Sequence, residues 1–261
     1  MPASTQEKSR PDTAEQTAVY VYGIVPGDVT LNAGVHGVGD PPGEIRLVRS
    51  GDLAALVSEV DITKPLGTPE DLQAHVEILD AIITDAPVLP SRFGAVLTDD
   101  AAVAQELLDA NHDKFAAALG QLEGRVEYIV RGRYVEEAIL DEIMSGNSRA
   151  ARLRDRIHGA DPDATRELRI QLGEIVNNTV ADKRQADTRV LVSAMQDHCV
   201  LSGVRVATNE LDAVYVAFLI EAGKAGELER VVHDLSDRWR GRVELHVRGP
   251  MAPYDFVGDG G

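Results

Sequence analysis

The sequence predicts an α+β fold in two domains. The first is an N-terminal mixed α+β unit. The second is a C-terminal domain of modified ferredoxin-like βαββαβ order with an enlarged helical crossover. Three observations predict this. From residue 126 onward the apolar patterning runs strand, helices, strand, strand, helix, strand. Before that point, three strand-like runs precede a helix, a proline-bounded extended stretch and a second helix. Between the two patterns stand Gly120 and Gly124, a joint that suits a length of 261 residues. The expected domains are 18–122 and 123–257, with long helices over about 133–198. They follow a disordered lead-in over 1–17, which is polar, mixed in charge and without an apolar signal-peptide core.

Taken in order, residues 19–25 (Val-Tyr-Val-Tyr-Gly-Ile-Val) are β-branched and aromatic and read as a strand. Residues 26–43 form a long loop with six glycines and prolines after Gly27, including Gly34, Gly37, Gly39, Pro41, Pro42 and Gly43. Its Gly34-Val35-His36-Gly37-Val38-Gly39 has the look of a phosphate loop, but Asp40-Pro41-Pro42 follows where a helix and a Lys-Ser/Thr pair are needed, so nucleotide binding is not expected. Runs at 45–49 and 53–60 flank Ser50-Gly51-Asp52, a hairpin signal. Thr68-Pro69-Glu70-Asp71 opens a helix as N-cap, N1 proline and first-turn acids, with Leu72, Val76, Leu79, Ile82 and Ile83 expected on its apolar face. Asp99 or Asp100 caps the next helix, with Val103, Leu107, Leu108, His112, Phe115 and Leu119 inward.

Residues 126–130 read as a strand and 135–144 as a helix. Helical periodicity then runs to about Gln196, with a restart at Asp161-Pro162. Its exposed face, including Glu174, Asp182 and Arg184, reads as solvated. Residues 199–207 are apolar around Gly203, 212–220 form a buried strand, and 223–240 an amphipathic helix. Residues 242–248 alternate strictly, as a half-exposed strand does, and Pro250 and Pro253 are expected to end the sheet.

The extended stretch Pro87-Val-Leu-Pro-Ser-Arg-Phe-Gly-Ala-Val-Leu97 is the anchor of the first domain. Pro87 and Pro90 exclude a regular helix, and apart from Ser91 and Arg92 the segment is apolar. It is expected to be largely buried. Arg92 must then reach a carboxylate, a row of carbonyls or a partner surface, or else cap a helix end.

A formal net charge of −17, from 43 acidic against 26 basic residues, argues against nucleic acid and anionic membranes as partners. It suits a soluble chain with a basic or apolar protein partner. No apolar run approaches the ~20 residues of a spanning helix, and a cytosolic protein, or one delivered to a structure inside the cell, is expected. The single cysteine, Cys199, makes no internal disulfide. The seven histidines lack zinc spacing, no Gly-x-Ser-x-Gly occurs, and His198 beside Cys199 reads as a helix-end histidine. His75 reads as a core or boundary residue. No catalytic residue, cofactor site or metal site is expected.

Four stretches in order resemble one family, the gas vesicle proteins F and L. They are Tyr20-Val21-Tyr22-Gly23-Ile24-Val25; Gly51 through Ser58 (Gly-Asp-Leu-Ala-Ala-Leu-Val-Ser); Ala74-His75 followed by Val88-Leu89-Pro90-Ser91-Arg92-Phe93-Gly94; and Gly249-Pro250-Met251-Ala252-Pro253-Tyr254-Asp255-Phe256-Val257. Met251-Ala252 stand where the family has Trp-Pro, and Asp255 where it has Ser. The resemblance implies a two-domain α+β fold and a non-enzymatic role in building gas vesicles. The partners it implies are the small hydrophobic shell protein and other accessory proteins, and the location it implies is the gas vesicle. The candidate partner contacts are Arg92, Phe93 and Gly94; the loop glycines Gly37 and Gly39; and Pro250, Pro253, Tyr254 and Phe256. For the Arg92 segment and the Pro250–Phe256 tail, the alternative is a purely fold-defining role. A small-ligand-binding regulator built on a ferredoxin-like domain is the competing reading of the whole chain.

Overall fold

The computed structural model describes residues 16–31 and 36–257. Most of the lead-in expected over 1–17 therefore lies outside the described residues, as does Gly34. Thr17 already belongs to a strand. The fold is mixed α+β with two antiparallel sheets, and the chain divides into two compact units. Of the described residues, the first holds those up to Ile82 together with Val88–Leu119; the second holds Ile83–Pro87 and those from Gly120 onward.

In the first unit, β1 (Thr17–Pro26) lies at the centre of the sheet and is buried from Ala18 to Val25. It pairs antiparallel with β3 (Leu53–Asp61), which pairs in turn with β2 (Arg46–Ser50). Gly51, at φ +57°, makes the turn between β2 and β3. The register of β1 against β3 shifts between Val21 and Gly23, so Tyr22 is the extra residue of a bulge. The proline-bounded stretch lies on the other side of β1 as two short strands, β4 (Leu89–Pro90) and β5 (Val96–Leu97), both antiparallel to it.

That stretch is only half buried, contrary to expectation. Val88 and Leu89 are inside, but Arg92 is exposed and Phe93 half-buried. Two strands of two residues each cover little of the segment, and the turn between them carries Arg92 out to solvent. Helix α1 (Pro69–Ile82) also differs in phase. Its buried side chains are Asp71, His75, Ile78 and Leu79, while Leu72 is 47% exposed. After β5 the chain is helical from Asp100 to Leu122: α2 (Asp100–Ala102), a π turn over Val103–Leu108, a 3₁₀ turn over Asp109–Asn111 and α3 (His112–Leu122). The π turn widens the repeat, so Val103 and Leu108, five apart, both face inward.

In the second unit, β6 (Arg125–Tyr134), β7 (Leu201–Val204), β8 (Asp212–Glu221) and β9 (Val243–Met251) form a sheet in the order β7-β8-β6-β9, all pairs antiparallel. Between β6 and β7 lie α4 (Glu136–Gly146), α5 (Ser148–Ile157) and α6 (Arg166–Met195); α7 (Ala225–Arg238) joins β8 to β9. Helix α6 begins at Arg166 rather than at Pro162, because 161–165 close a turn first: Asp161 accepts from the main-chain N–H of Asp163 and of Ala164, and the Thr165 N–H donates to Asp161 O. Arg184 is not on a solvated face. Its guanidinium donates to Asp212 O at 2.6 Å and to Glu210 O at 2.8 Å.

The long helices are pinned to the sheet by one charged network. Arg242, entering β9, donates to Glu142 of α4 at 2.8 Å and to both carboxylate oxygens of Asp187 of α6 at 3.1 and 2.9 Å. Lys183 pairs with Glu142, and the Tyr134 hydroxyl at the end of β6 donates to Asp187 at 2.7 Å. Burial disfavours the charge of Arg242, but its two carboxylates outweigh that and hold its pKa up.

At the other end of β9 the sheet does not stop at Pro250. The strand continues to Met251, with a register shift opposite Tyr128. An edge strand at a bulge tolerates a proline, since no ladder bond is lost on its open side. Gly249, at φ +142°, sits so close to Tyr128 that a Cβ there would come within 2.6 Å of the ring. The chain then folds back: the Asp255 N–H donates to Glu127 at 3.0 Å, and Arg205 approaches Asp255 at 3.5 Å. Glu127 is fully buried. Burial, then the hydrogen bond to the Asp255 carboxyl, pushes its pKa up to about 8, against the pull of Arg205.

Two outcomes follow for the second unit. Arg242→Ala strands two partly buried carboxylates and lowers stability by about 2–4 kcal/mol, read by denaturant unfolding. Folded Glu127 holds its proton where the unfolded chain has lost it, so its contribution falls as pH rises from about 4.5 to about 8. Glu127→Gln, which mimics the protonated acid, therefore melts several degrees above wild type at about pH 8 and alongside it at about pH 4.5. A pH-independent difference would refute the assignment.

Candidate functional site

The first unit gathers two of the three sequence-predicted patches at one place, the N-terminal end of α1. Tyr20 of β1 supplies the centre. Its hydroxyl lies 2.9 Å from Nδ1 of His75 and accepts the Gly94 N–H at 3.1 Å. The phenol oxygen accepts from Gly94 while sharing a second hydrogen bond with His75 Nδ1, whose donor is set by the imidazole tautomer. Burial lowers the His75 pKa, partly countered by a main-chain hydrogen bond with Ser91. Burial also raises the pKa of Tyr20 well above the usual phenol range. Phe93 closes the cluster edge-on, 5.8 Å from Tyr20 and 5.7 Å from His75 between ring centroids.

Two residues along β1, Tyr22 repeats the arrangement toward the glycine loop. Its hydroxyl is 2.8 Å from Ser58 Oγ and accepts the Val38 N–H at 2.8 Å. Gly37 has no room for a side chain: a Cβ would come within 2.6 Å of Gly43 O and 2.7 Å of the Tyr22 hydroxyl. Gly39, at φ +95°, donates its N–H to Asp71 at 2.9 Å. The second Asp71 oxygen accepts from Gly67 N–H, Thr68 N–H and the Thr68 hydroxyl, each at 3.0 Å. Burial opposes the charge of Asp71, but these donors outweigh it and hold the carboxyl below its ordinary range.

Asp71 therefore ties the Gly37–Gly39 turn to the start of α1, and Gly67, beside it, faces the Phe93 ring: a Cβ there would stand 3.8 Å from it. Arg92 and Gly94 are exposed on this rim, next to half-buried Phe93. The phenols and the imidazole are held uncharged by burial. As built, the cluster positions two loops, with Arg92 exposed and Phe93 half-buried at its rim.

The third patch belongs to the second unit. Pro250 is exposed, Pro253 is buried, and Tyr254 and Phe256 are half-buried. Phe256 and Tyr215 pack on a cluster of Ile129, Ala217 and Met251. His198 and Cys199 follow α6 in a turn, both N–H groups donating to Met195 O. His198 Nδ1 meets Glu227 at 2.8 Å, and burial pushes the Cys199 thiol pKa up. Among the described residues, no group of three or more His, Cys, Asp or Glu could hold a metal ion.

Sequence reasoning reads Asp71 only as a first-turn acid and Ser58 only as part of a strand, and gives neither a place in the site. A first-turn aspartate followed four residues later by a histidine, with tyrosines two apart in an apolar strand, is the pattern that marks them.

Comparison with known proteins matches these features to one family. The profile of "Gas vesicle synthesis protein GvpL/GvpF" covers residues 18–258. Gas vesicle protein F of Streptomyces sp. (strain CB03234) is 31% identical over 248 residues, spanning 92% of this chain and 99% of that protein. Gas vesicle protein L of the same strain is 32% identical over 261 residues, spanning 92% of each. The crystal structure of GvpF from Anabaena sp. PCC7120 has the same fold, with a TM-score of 0.76 at 20% identity over 92% of this chain and 98% of that one. This chain belongs to the gas vesicle GvpL/GvpF family.

Proposed function

We propose that this chain is a non-enzymatic accessory protein of gas vesicle formation that binds the hydrophobic shell subunit, or another accessory protein, before or during assembly. In this reading it folds as two domains, 18–122 and 123–257, the second of ferredoxin-like order with an enlarged crossover, and it acts in the cytoplasm and at the gas vesicle. One observation carries the choice of surface. Two segments far apart in sequence are held close together, Gly39 by a part-buried hydrogen bond to Asp71 of α1 and Gly94 by one to Tyr20 of β1, while Arg92 stays exposed. A rigidly held loop with an exposed cation and aromatic edge is how partner contacts are usually presented. The strongly acidic remainder keeps such a complex soluble.

A second reading, a small-ligand-binding regulator, is favoured by one feature. A groove of about 470 Å³ in the second unit is lined by polar groups including Glu136, Asn177, Arg184, Thr208 and Asn209. A thermal-shift screen against metabolites decides it, a robust shift with a single compound counting for the regulator.

The main test is co-expression of the tagged full chain with the shell subunit, followed by affinity recovery at low and high salt. We expect specific recovery, weakened about tenfold by Arg92→Glu while circular dichroism still reports a folded chain. Background recovery of both the shell subunit and the accessory proteins from folded wild-type chain overturns the reading.

A further inference from the structure

The two edges of the second unit's sheet are unlike. The β9 edge is guarded: Glu244, His246 and Arg248 are exposed along it, and Pro250 interrupts it. Charges and proline on an edge strand are the usual protection against pairing with another chain. The β7 edge lacks them. Besides Ser202, its exposed side chains are Leu201 (53%) and Val204 (65%), flanked by Val200 (37%) and Val206 (87%), while the one charge beside them, Arg205, is half-buried and turned to Asp255.

The hydrogen-bonding capacity of that edge is open. The Val200 and Arg205 N–H groups donate to Leu219 O and Tyr215 O of β8, and Leu201 and Gly203 face Leu219 and Ala217. Antiparallel alternation then turns the main-chain groups of Ser202 and Val204 away from β8, toward the open side. Beside this edge, between α6 and β7–β8, lies a groove of about 340 Å³. Ala181, Thr188, Val204 and Val214 line it, with Arg184 and Arg189 of α6. Its one acid, Asp212, is already bonded to Arg131 at 2.9 Å. Arg184 gives two of its five N–H groups to carbonyls, and no carboxylate in the lining offsets its charge. A chain with a net charge of −17 thus presents a locally cationic, apolar groove beside an unguarded strand edge.

We propose that β7 receives an extended segment of a partner protein by strand addition. The segment pairs with the main chain of Ser202 and Val204. It drops alternate apolar side chains into the groove beside α6, and carries a carboxylate that meets Arg184 and Arg189. Main-chain pairing supplies affinity and the groove selects side chains at a period of two. The inference rests on the reading of the chain as a gas vesicle accessory protein, which supplies the shell subunit as the partner to test. It adds a second surface to that reading.

The experiment is affinity recovery of the co-expressed shell subunit by the full-length chain. Ser202→Pro removes an outward N–H while leaving the β8 ladder intact. Val204→Arg fills the groove from an exposed position that tolerates the change, and Val247→Arg on β9 is the control. Circular dichroism melts confirm folding. We expect at least a tenfold loss of recovered subunit for Ser202→Pro and Val204→Arg, and wild-type recovery for Val247→Arg. Wild-type recovery by both β7 variants overturns strand addition and leaves the accessory reading standing. If wild type recovers no shell subunit, that reading's choice of partner falls and strand addition falls with it. A wild-type dimer in sedimentation that both β7 variants abolish means a second copy of this chain takes the edge, which also overturns the proposal.

Discussion

A buried phenol needs a hydrogen-bond partner, and much of this structure is arranged around three that found one. Tyr20, Tyr22 and Tyr134 are each essentially inaccessible, and each hydroxyl is bonded to a residue on another element. Leaving any of them unpaired costs about 1–3 kcal/mol, comparable with a sizeable part of a domain's net stability. Tyr20 therefore fixes where His75 of α1 and the Gly94 turn must lie. Tyr22 fixes Ser58 and the Val38 loop. Tyr134 fixes Asp187 and, through it, Arg242 and the start of β9. The apolar core decides that the strands are buried; the phenols decide which loops and helix faces stand over them.

This division explains which parts of the fold are legible in the sequence. The β-branched runs of β1, β3 and β8 and the alternation in β9 are local signals, and the strands lie where those signals place them. The inward phase of α1 is not local. Asp71 is inside because Gly39, thirty-two residues earlier, donates to it, and buried His75 meets the Tyr20 hydroxyl. The hydrophobic pattern places Leu79 and Ile83 inward correctly, but it cannot register a carboxylate whose partner is that distant, so it puts Leu72 on the buried face where Asp71 lies. The same reasoning covers Arg184, whose partners are carbonyls in a turn, and the π turn at Val103–Leu108, which no periodicity of 3.6 contains. Proline was misread for a different reason. Pro250 was taken as a strand terminator, whereas on the outer strand at a bulge it costs no ladder bond.

The candidate surface was half legible. The glycines, Arg92 and Phe93 could be singled out from composition and from resemblance. That the first two groups meet at one helix end follows only from the bonds made by Asp71, Tyr20 and Tyr22. The tail behaves differently: Pro253 is buried, and Phe256 packs on the sheet, so much of that segment is spent on holding the C-terminal end of the second unit. Its carboxyl pair, buried Glu127 with the more exposed Asp255, makes that seat sensitive to protonation as well as to packing.

Charge and contact are thereby separated within one chain. Several arginines are consumed internally: Arg242 by Asp187 and Glu142, Arg131 by Asp212, Arg46 by Asp100, Arg49 by the carbonyls of Gly27 and Val29. What reaches solvent is dominated by carboxylates, whose mutual repulsion keeps copies of the chain apart. Such a surface offers no attraction to an apolar subunit, and electrostatic steering governs encounter more than affinity. On the proposed reading, association with a hydrophobic partner draws on places where the acidic surface is interrupted, among them the rim around Arg92 and Phe93 and the β7 edge. Local apolar contact would then hold the partner, and the net charge of the chain would keep the complex dispersed.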